Sequence, residues 1–117
     1  QRLREGHLVA LVADRDLSKS GIDVNFFGQK ARMPAGPAVL AIKTEAIFLT
    51  AFVNYTERGI HITFDEIQVP VNGTQEEKVS ELVQKSADNF ADGIRCYPQD
   101  WHMLQRIWID DDFKERN

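Results

Sequence analysis

The segment from His7 to Ala13 constrains the fold more than any other part of this sequence, because every residue after the histidine is apolar. An uninterrupted apolar run of this length is typical of a β-strand covered on both faces, as in a parallel sheet. We therefore expect an α/β fold with a mixed, largely parallel sheet flanked by helices. The few residues before His7 cannot supply a neighbouring strand, so we expect the incomplete half of a larger α/β domain.

Three further strands are predicted from alternation and apolar runs. Ile22–Phe27 alternates polar with apolar residues, residues 47–53 form a second apolar run that predicts a buried strand, and residues 60–67 alternate as in a half-exposed strand. The residues from Tyr55 to Gly59 are predicted to form the turn between the last two. A chain of 117 residues fits a single domain.

The helices are predicted from their start signals. Gly36 as N-cap with Pro37 at the first helical position indicates a short helix. Thr74 and Glu77 have the spacing of a capping box, and the apolar residues that follow predict an amphipathic helix over 75–95, lying on the sheet. Trp101, Leu104 and Trp108 predict a final helical turn or two, and residues 110–117 are expected to be a frayed acidic tail.

Composition excludes several classes of protein. Fourteen basic against eighteen acidic residues give a net charge of −4, which disfavours nucleic acid as a partner. The longest apolar run, residues 46–53, is far shorter than the roughly 20 residues of a membrane-spanning helix. The single cysteine, Cys96, cannot form an internal disulfide and fits a reducing compartment. The chain begins without methionine and looks cut from a longer protein.

Asp14, Arg15 and Asp16 directly follow the apolar run, at the end of a strand where α/β sheets bind ligands. They could line a crevice and contact a phosphate, a hydroxyl or another catalytic group. Alternatively, Arg15 bridges one of the aspartates and merely fixes the loop. Two carboxylates one residue apart could also share a hard cation, but no further ligand lies nearby, and we predict no metal.

An apolar wall is predicted beside these charges. It would consist of Phe26, Phe27, Met33 and Pro34, although one phenylalanine is expected to pack in the core. Lys30 and Arg32 precede the helix start at Gly36, where an anion could bind, although simple capping explains the same residues. A crevice with a charged end and an apolar wall suits an amphiphile.

Two stretches carry a family resemblance: "LVADRDLSKSGIDVNFFGQKARMPAGPAVLAIKTEA" and, about fifty residues later, "YPQDWHMLQRIW". Together they resemble the C-terminal half of the bacterial lipid A biosynthesis acyltransferases, and most closely the phosphatidylinositol mannoside acyltransferase branch. The resemblance covers roughly His7 to Trp108. One departure is Glu45, which stands where the family often has glycine.

The resemblance implies an enzyme that moves a fatty acyl chain from acyl-CoA to a sugar hydroxyl of a glycolipid. It implies a peripheral location at the cytoplasmic face of the cell membrane, the membrane surface and a missing N-terminal half as partners, and no cofactor besides the acyl-CoA donor. The family's general base is a histidine in an H-x-x-x-x-D motif. Five residues beyond His7, His61 and His102 stand Val12, Glu66 and Arg106, so the chain alone is expected to be inactive.

The resemblance therefore assigns only supporting roles to residues of this chain. Asp14 and Asp16 would brace the catalytic histidine or contact the acceptor, and the substrate-binding residues would be Arg15, Phe26, Phe27, Arg32, Met33, Pro34 and Gly36. Two alternatives stay open: a noncatalytic lipid- or partner-binding α/β module, and a metal-dependent hydrolase built on Asp14 and Asp16. Each histidine is interpreted as structural or exposed, and no phosphate-loop or dinucleotide motif supports nucleotide binding.

Overall fold

A computed structural model describes residues 1–109 and Lys114 of the chain. The predicted acidic tail, including Asp110, Asp111 and Asp112, otherwise lies outside the described residues. Short 3₁₀ turns occur at Arg2–Glu5 and Pro98–Asp100. The other elements, in chain order, are β1 (Ile22–Phe26), β2 (Gln29–Met33), α1 (Gly36–Thr44), β3 (Phe48–Thr56), β4 (Gly59–Ile67) and α2 (Gln75–Cys96).

The strands of the described chain form two separate two-stranded antiparallel sheets, β1–β2 and β3–β4. The α/β class is confirmed, but the predicted largely parallel sheet is wrong. The reason lies in the connections, because each pair is joined by a two-residue turn, whereas parallel neighbours need a crossover of a dozen or more residues. We call β1–β2 the first hairpin and β3–β4 the second hairpin.

The apolar segment from His7 to Ala13 is not a strand in the structure. Leu8 is 81% exposed and Val12 is 92% exposed, so the prediction of a strand covered on both faces is wrong for the described chain. A β-strand needs a partner for its backbone hydrogen bonds. Within residues 1–109, no strand is paired with this segment.

Strand β2 was not predicted from the sequence, because the turn that precedes it is unusual. Phe27 and Gly28 both have positive φ, 52° and 75°, as the type I′ turns of two-residue hairpins require. Phenylalanine rarely adopts this conformation. The turn also lacks the asparagine or aspartate that usually indicates a type I′ turn in a sequence. The strand at Ile22–Phe27 is confirmed to within one residue, whereas β2, which pairs Met33 with Ile22, was not predicted.

Helix α2 confirms the predicted amphipathic helix over 75–95 to within one residue, and it supplies many of the buried core residues. Its capping box is complete, since Thr74 Oγ1 accepts a hydrogen bond from the Glu77 N–H (3.2 Å) and Glu77 Oε2 accepts one from the Thr74 N–H (3.3 Å). Leu82 is fully buried, and the apolar side of α2 packs on the first hairpin, where Val24 and Phe26 are 3% and 2% exposed.

Helix α1 starts one residue earlier than predicted. Ala35, not Gly36, is the N-cap residue, and Pro37 is the second helical residue. Ala38 and Ala41 are the buried residues of the helix and face the core, whereas Leu40 is 40% exposed. At its C-terminus Glu45 has φ 55°, the left-handed conformation that favours glycine.

The predicted last helix is wrong beyond a single 3₁₀ turn at Pro98–Asp100. The chain then runs along the outer edge of β2. Trp108 pairs with Ala31, and the Ile109 N–H donates to the Lys30 carbonyl at 2.9 Å. These tertiary contacts leave Leu104 97% exposed, so the helical spacing of Trp101, Leu104 and Trp108 does not describe a packed face.

Both strands of the second hairpin are present, with a turn at Glu57-Arg58 inside the predicted range. The predicted burial of β3 is wrong, because Leu49 and Val53 are 48% and 46% exposed. Strand β4, predicted as half-exposed, is exposed along nearly its whole length.

Candidate functional site

A charged cluster lies on the outer face of the first hairpin, away from α2. Strand pairing places Asp23 directly opposite Arg32, and Lys30 lies diagonally across. Arg32 Nε donates to Asp23 Oδ1 at 2.8 Å, and Lys30 Nζ lies 3.0 Å from Asp23 Oδ2. We call Asp16, Asp23, Lys30 and Arg32 the Arg32 cluster. Arg32, whose side chain is only 11% exposed, pairs with Asp23 through its side chain and with Asp16 through its backbone carbonyl.

The loop carrying Asp16 is fastened to this cluster. The Asp16 N–H donates to the Arg32 carbonyl (2.9 Å), and Arg32 Nη1 donates to the Ser18 carbonyl (3.2 Å). Asp16 Oδ1 in turn accepts a hydrogen bond from the Ser18 N–H at 2.9 Å. Gly21 lies against the Arg32 side chain, where an added Cβ would come within 2.9 Å of the Asp16 carbonyl oxygen. Within the described residues, the loop is therefore positioned by β2.

Both aspartates of the cluster are held ionised. Hydrogen bonds from the Ser18 hydroxyl and N–H lower the pKa of Asp16. Partial burial raises the pKa of Asp23, but hydrogen bonds and charge from Arg32 and Lys30 outweigh it, so the net effect is a lowered pKa. A carboxylate with a lowered pKa is a weak base, and the cluster is suited to orienting polar groups and not to accepting a proton.

The predicted site residues Asp14 and Arg15 lie just before the fastened loop. Asp14 is exposed and Arg15 is half-buried. Within the part of the chain that the structure describes, Arg15 makes no ion pair, so it does not bridge Asp14 or Asp16 as the alternative interpretation supposed. Arg32, on β2, makes the contacts that fix this loop. The alternative interpretation had given that role to Arg15.

The predicted apolar wall is divided between the core and the surface. Phe26 and Met33 are 2% and 1% exposed and face α2, on the opposite face of the hairpin from Asp23 and Arg32. Phe27 and Pro34 are half-buried, and Gly36 is exposed at the start of α1. The structure thus brings Asp16 and Arg32 together, but it does not place Phe26 or Met33 beside them. Their predicted roles in substrate binding stay predictions.

Two clefts flank the turn of the first hairpin. The larger, about 520 Å³, lies between the turn and α2 and is lined by Asn25, Phe27, Gly28, Gln84, Asp88, Ala91, Asp92 and Arg95. Gln84 closes one side by bonding both the N–H and the carbonyl of Asn25 at 2.9 Å. The Arg95 guanidinium lies 5.1 Å from the centre of the Phe27 ring.

The smaller cleft, about 220 Å³, has an aromatic floor and is lined by Gln29, Trp101, Met103, Gln105, Arg106, Ile107 and Trp108. The two indole rings meet edge to face at 6.4 Å, and Trp108 Nε1 donates to the Phe26 carbonyl at 3.1 Å. The lining of this smaller cleft therefore combines aromatic rings with amide groups, and the cleft lies beside the turn that contains the half-buried Phe27.

The sequence of this chain matches a known family. The sequence profile of the bacterial lipid A biosynthesis acyltransferases matches residues 1–109, which is nearly the complete chain. The chain belongs to this acyltransferase family. The family resemblance seen in the sequence is thereby confirmed.

Curated relatives of this acyltransferase chain are phosphatidylinositol mannoside acyltransferases. The protein of Mycobacterium tuberculosis (strain H37Rv) is 40% identical over 111 residues, covering 95% of this chain and 34% of its own length. The protein of Mycolicibacterium smegmatis is 41% identical over 116 residues, covering 99% of this chain and 37% of its own length. The chain thus spans about a third of the length of these relatives.

The histidines of the acyltransferase chain have modest surroundings. His7 Nε2 lies 3.8 Å from Glu5 Oε2, His61 Nδ1 lies 3.3 Å from Asn54 Oδ1, and His102 is exposed. Across residues 1–109 and Lys114, no three His, Cys, Asp or Glu side chains converge in a way that could hold a metal ion. The described helices also include none with the length and apolar character needed to cross a membrane.

Reasoning from the sequence missed Asp23 as part of the Arg32 cluster and Gln84 as part of the larger cleft. Asp23 was seen only as a polar residue in an alternating strand, because its partners lie on the unpredicted β2. Gln84 lies 59 residues from Asn25 in the sequence, so no local spacing links them. A signal for Asp23 did exist, since acid and base fall at mirrored distances from the Phe27-Gly28 turn.

Proposed function

We propose that the protein carrying these residues is an acyltransferase that moves a fatty acyl chain from acyl-CoA to a sugar hydroxyl of a glycolipid related to phosphatidylinositol mannosides. The family match over residues 1–109, together with about 40% identity to phosphatidylinositol mannoside acyltransferases over nearly the whole chain, carries this proposal. The enzyme would work as a peripheral protein at the cytoplasmic face of the membrane, where both substrates meet.

In this proposal the chain supplies the polar flank of the acceptor site. The Arg32 cluster holds the loop after Asp14 through the contacts of Asp16 and Ser18, so that Asp14 and Arg15 face the ligand from a fixed backbone. A carboxylate accepts hydrogen bonds from sugar hydroxyls, and a guanidinium pairs with a phosphate. Asp14 and Arg15 would therefore contact the acceptor head group, while Asp16 and Arg32 position them.

The apolar contribution is smaller than the sequence predicted. Phe27 and Pro34 are only half-buried and can border an acyl chain, whereas Phe26 and Met33 support them from the core. The chemical step is attack of a sugar hydroxyl on the thioester carbonyl, with a general base from another part of the enzyme taking the hydroxyl proton. Fixing acceptor and donor in reach of each other supplies much of the acceleration.

The activity is tested on the protein encoded by the complete gene, with acyl-CoA and a mannosylated phosphatidylinositol. We expect acylated glycolipid and free CoA in equal amounts. Asp14→Ala is expected to lower kcat/KM at least about tenfold, a loss of about 1.4 kcal/mol of transition-state stabilisation.

Asp65→Ala is the matched control, because Asp65 is an exposed aspartate on the second hairpin, away from the Arg32 cluster. It should retain the wild-type rate. Absence of acyl transfer by the folded wild-type enzyme would contradict the proposed activity, and a wild-type rate in Asp14→Ala would remove Asp14 from the site.

A further inference from the structure

The second hairpin carries an apolar face that nothing in the described chain covers. In its register Ala51 pairs with Phe64 and Val53 pairs with Ile62, so these four side chains share one face. Alternation along both strands adds their neighbours. We call this the open face; it consists of Leu49, Ala51, Val53, Tyr55, Ile60, Ile62 and Phe64.

Every member of the open face is exposed. Phe64 and Tyr55 are each 63% exposed, Ile60 is 58% exposed, and Ile62 at the centre is 43% exposed. Isolated apolar residues are common on protein surfaces, but a contiguous apolar patch of this kind marks an interaction surface.

The opposite face of the same hairpin is covered by α2. There Thr50 Oγ1 donates to Asn89 Oδ1 of α2 at 2.6 Å, and the Phe52 ring fills the space above Gly93, where an added Cβ would lie 2.6 Å from the ring. Thr50 and Asn54 are 4% and 5% exposed although both are polar. The hairpin therefore buries two polar residues, Thr50 and Asn54, on its covered face, while the seven apolar residues of the open face lie in water, where an antiparallel sheet usually places its polar face.

We propose that the open face packs against an apolar layer from another part of the same polypeptide, in the roughly two-thirds of the length that the relatives have beyond the part matched here. The segment from His7 to Ala13 gives an independent reason for such a layer, since Leu8 and Val12 are also left exposed. The inference rests on the part of the proposed function that makes these residues a portion of a longer enzyme. It does not depend on which reaction that enzyme performs.

Charge disfavours a membrane as the occupant. None of the seven side chains of the open face is basic, and the next residue on that face, Glu66, is acidic. The chain as a whole has a net charge of −4. Surfaces that bind anionic lipid carry clustered lysine and arginine. A layer of protein requires only an apolar counterpart.

Cysteine accessibility tests the inference in the protein encoded by the complete gene, in a background whose native cysteines, Cys96 included, are serine. Ile62→Cys places a thiol at the centre of the open face, and Glu57→Cys places the matched control in the turn of the same hairpin, off that face. We expect maleimide to modify the Ile62→Cys protein at least about tenfold more slowly than the control, because modification requires local opening. Both thiols should react at similar rates in urea.

Sedimentation and vesicle flotation identify what covers the face. Slow modification in a protein that sediments as a monomer without lipid supports the proposal. Equal rates at both positions overturn it, as does protection that appears only in a dimer or only with anionic phospholipid vesicles. If Ile62→Cys does not fold, hydrogen exchange of residues 59–67 in the wild-type protein replaces it. Slow exchange of these amides supports the proposal, and fast exchange overturns it. Since neither readout requires turnover, an inactive enzyme with a protected face would contradict the proposed function alone.

Discussion

The two hairpins have the same topology but opposite surroundings. Each consists of two antiparallel strands joined by a two-residue turn. The first hairpin has one face buried against α2. Its edges are also occupied, since the Gln84 side chain bonds the backbone of Asn25 on β1, and the backbone of Trp108 and Ile109 follows β2. The second hairpin has strands of nine residues, yet it leaves its apolar face in water.

This difference teaches that apolar content does not decide which strand is buried. The first hairpin places charged residues such as Asp23 and Arg32 outward and small or apolar residues such as Ala31 inward, a pattern that matches its single covering helix. The second hairpin has Val53 and Ile62 outward and Thr50 inward, a pattern suited to a second covering layer. A two-stranded sheet without such cover is marginally stable in water.

The largest difference is expected when one phenylalanine in each hairpin is replaced by alanine. Phe26→Ala should lower the free energy of unfolding of residues 1–117 by about 3–5 kcal/mol, because Phe26 lies in the core. Phe64→Ala, on the open face, should change it by no more than about 0.5 kcal/mol. Urea unfolding of both variants measures the difference. Equal losses would contradict the contrast between the hairpins, and in a longer protein that covers the open face the cost of Phe64→Ala should rise.

A smaller effect is expected where the second hairpin meets α2. Gly93→Val puts a branched side chain where the Phe52 ring lies, and overpacking of this kind costs about 1–3 kcal/mol. The matched control is Gly59→Ala, because no atom lies within 4 Å of an added Cβ there. Hydrogen exchange should show faster opening of β3 and β4 in Gly93→Val with little change in β1. Equal acceleration in both hairpins would mean that they unfold as one unit.

The smallest effect concerns the charges on the first hairpin. The lowered pKa values of Asp16 and Asp23 mean that their contribution to stability is complete above the ordinary aspartate value of about 3.9 and is lost as the pH falls through the folded values. Because Asp23 is 40% exposed, we expect the Asp23–Arg32 pair to contribute only about 1 kcal/mol at neutral pH.

A double-mutant cycle with Asp23→Asn and Arg32→Gln isolates this contribution. The coupling energy from urea unfolding should be favourable at pH 7 and should decrease as the pH falls through the lowered pKa of Asp23. A coupling that persists in acid would show that packing of the Arg32 side chain, and not its charge, stabilises the loop of Asp16.

Elements that depend on nearby residues could be predicted from the sequence. The helix at 75–95 was correct because its capping residues and apolar stripe are local, and it ends at Cys96, before Pro98. The left-handed backbone at Glu45 also agrees with the expectation, drawn from the family resemblance, that glycine is common at this position. The α/β class followed from the same local patterns.

Elements that depend on distant contacts could not be predicted. Residues 101–108 have helical spacing, but the pairing of Trp108 with Ala31 holds the chain extended along β2. The segment from His7 to Ala13 has the composition of a covered strand, which forms only where partner strands lie alongside. The composition of a segment indicates whether it is suited to burial, but not whether other residues of the chain pack against it.

The candidate site shows the same division. Asp16 and Arg32 were both singled out, yet the contact between them depends on β2, whose turn residue Phe27 adopts an uncommon backbone conformation. The sequence did not show that Phe26 and Met33 face α2, because their orientation depends on the strand register of the first hairpin.

Both tryptophans of the chain, Trp101 and Trp108, lie within 6.4 Å of each other beside Phe26. The two tyrosines are elsewhere, with Tyr55 on β3 and Tyr97 stacked on Phe52. Indole emission excited beyond the phenol absorption band will therefore report on the neighbourhood of the first hairpin. The fluorescence of the unmodified protein can thus follow the melting of that half of the molecule without an attached dye.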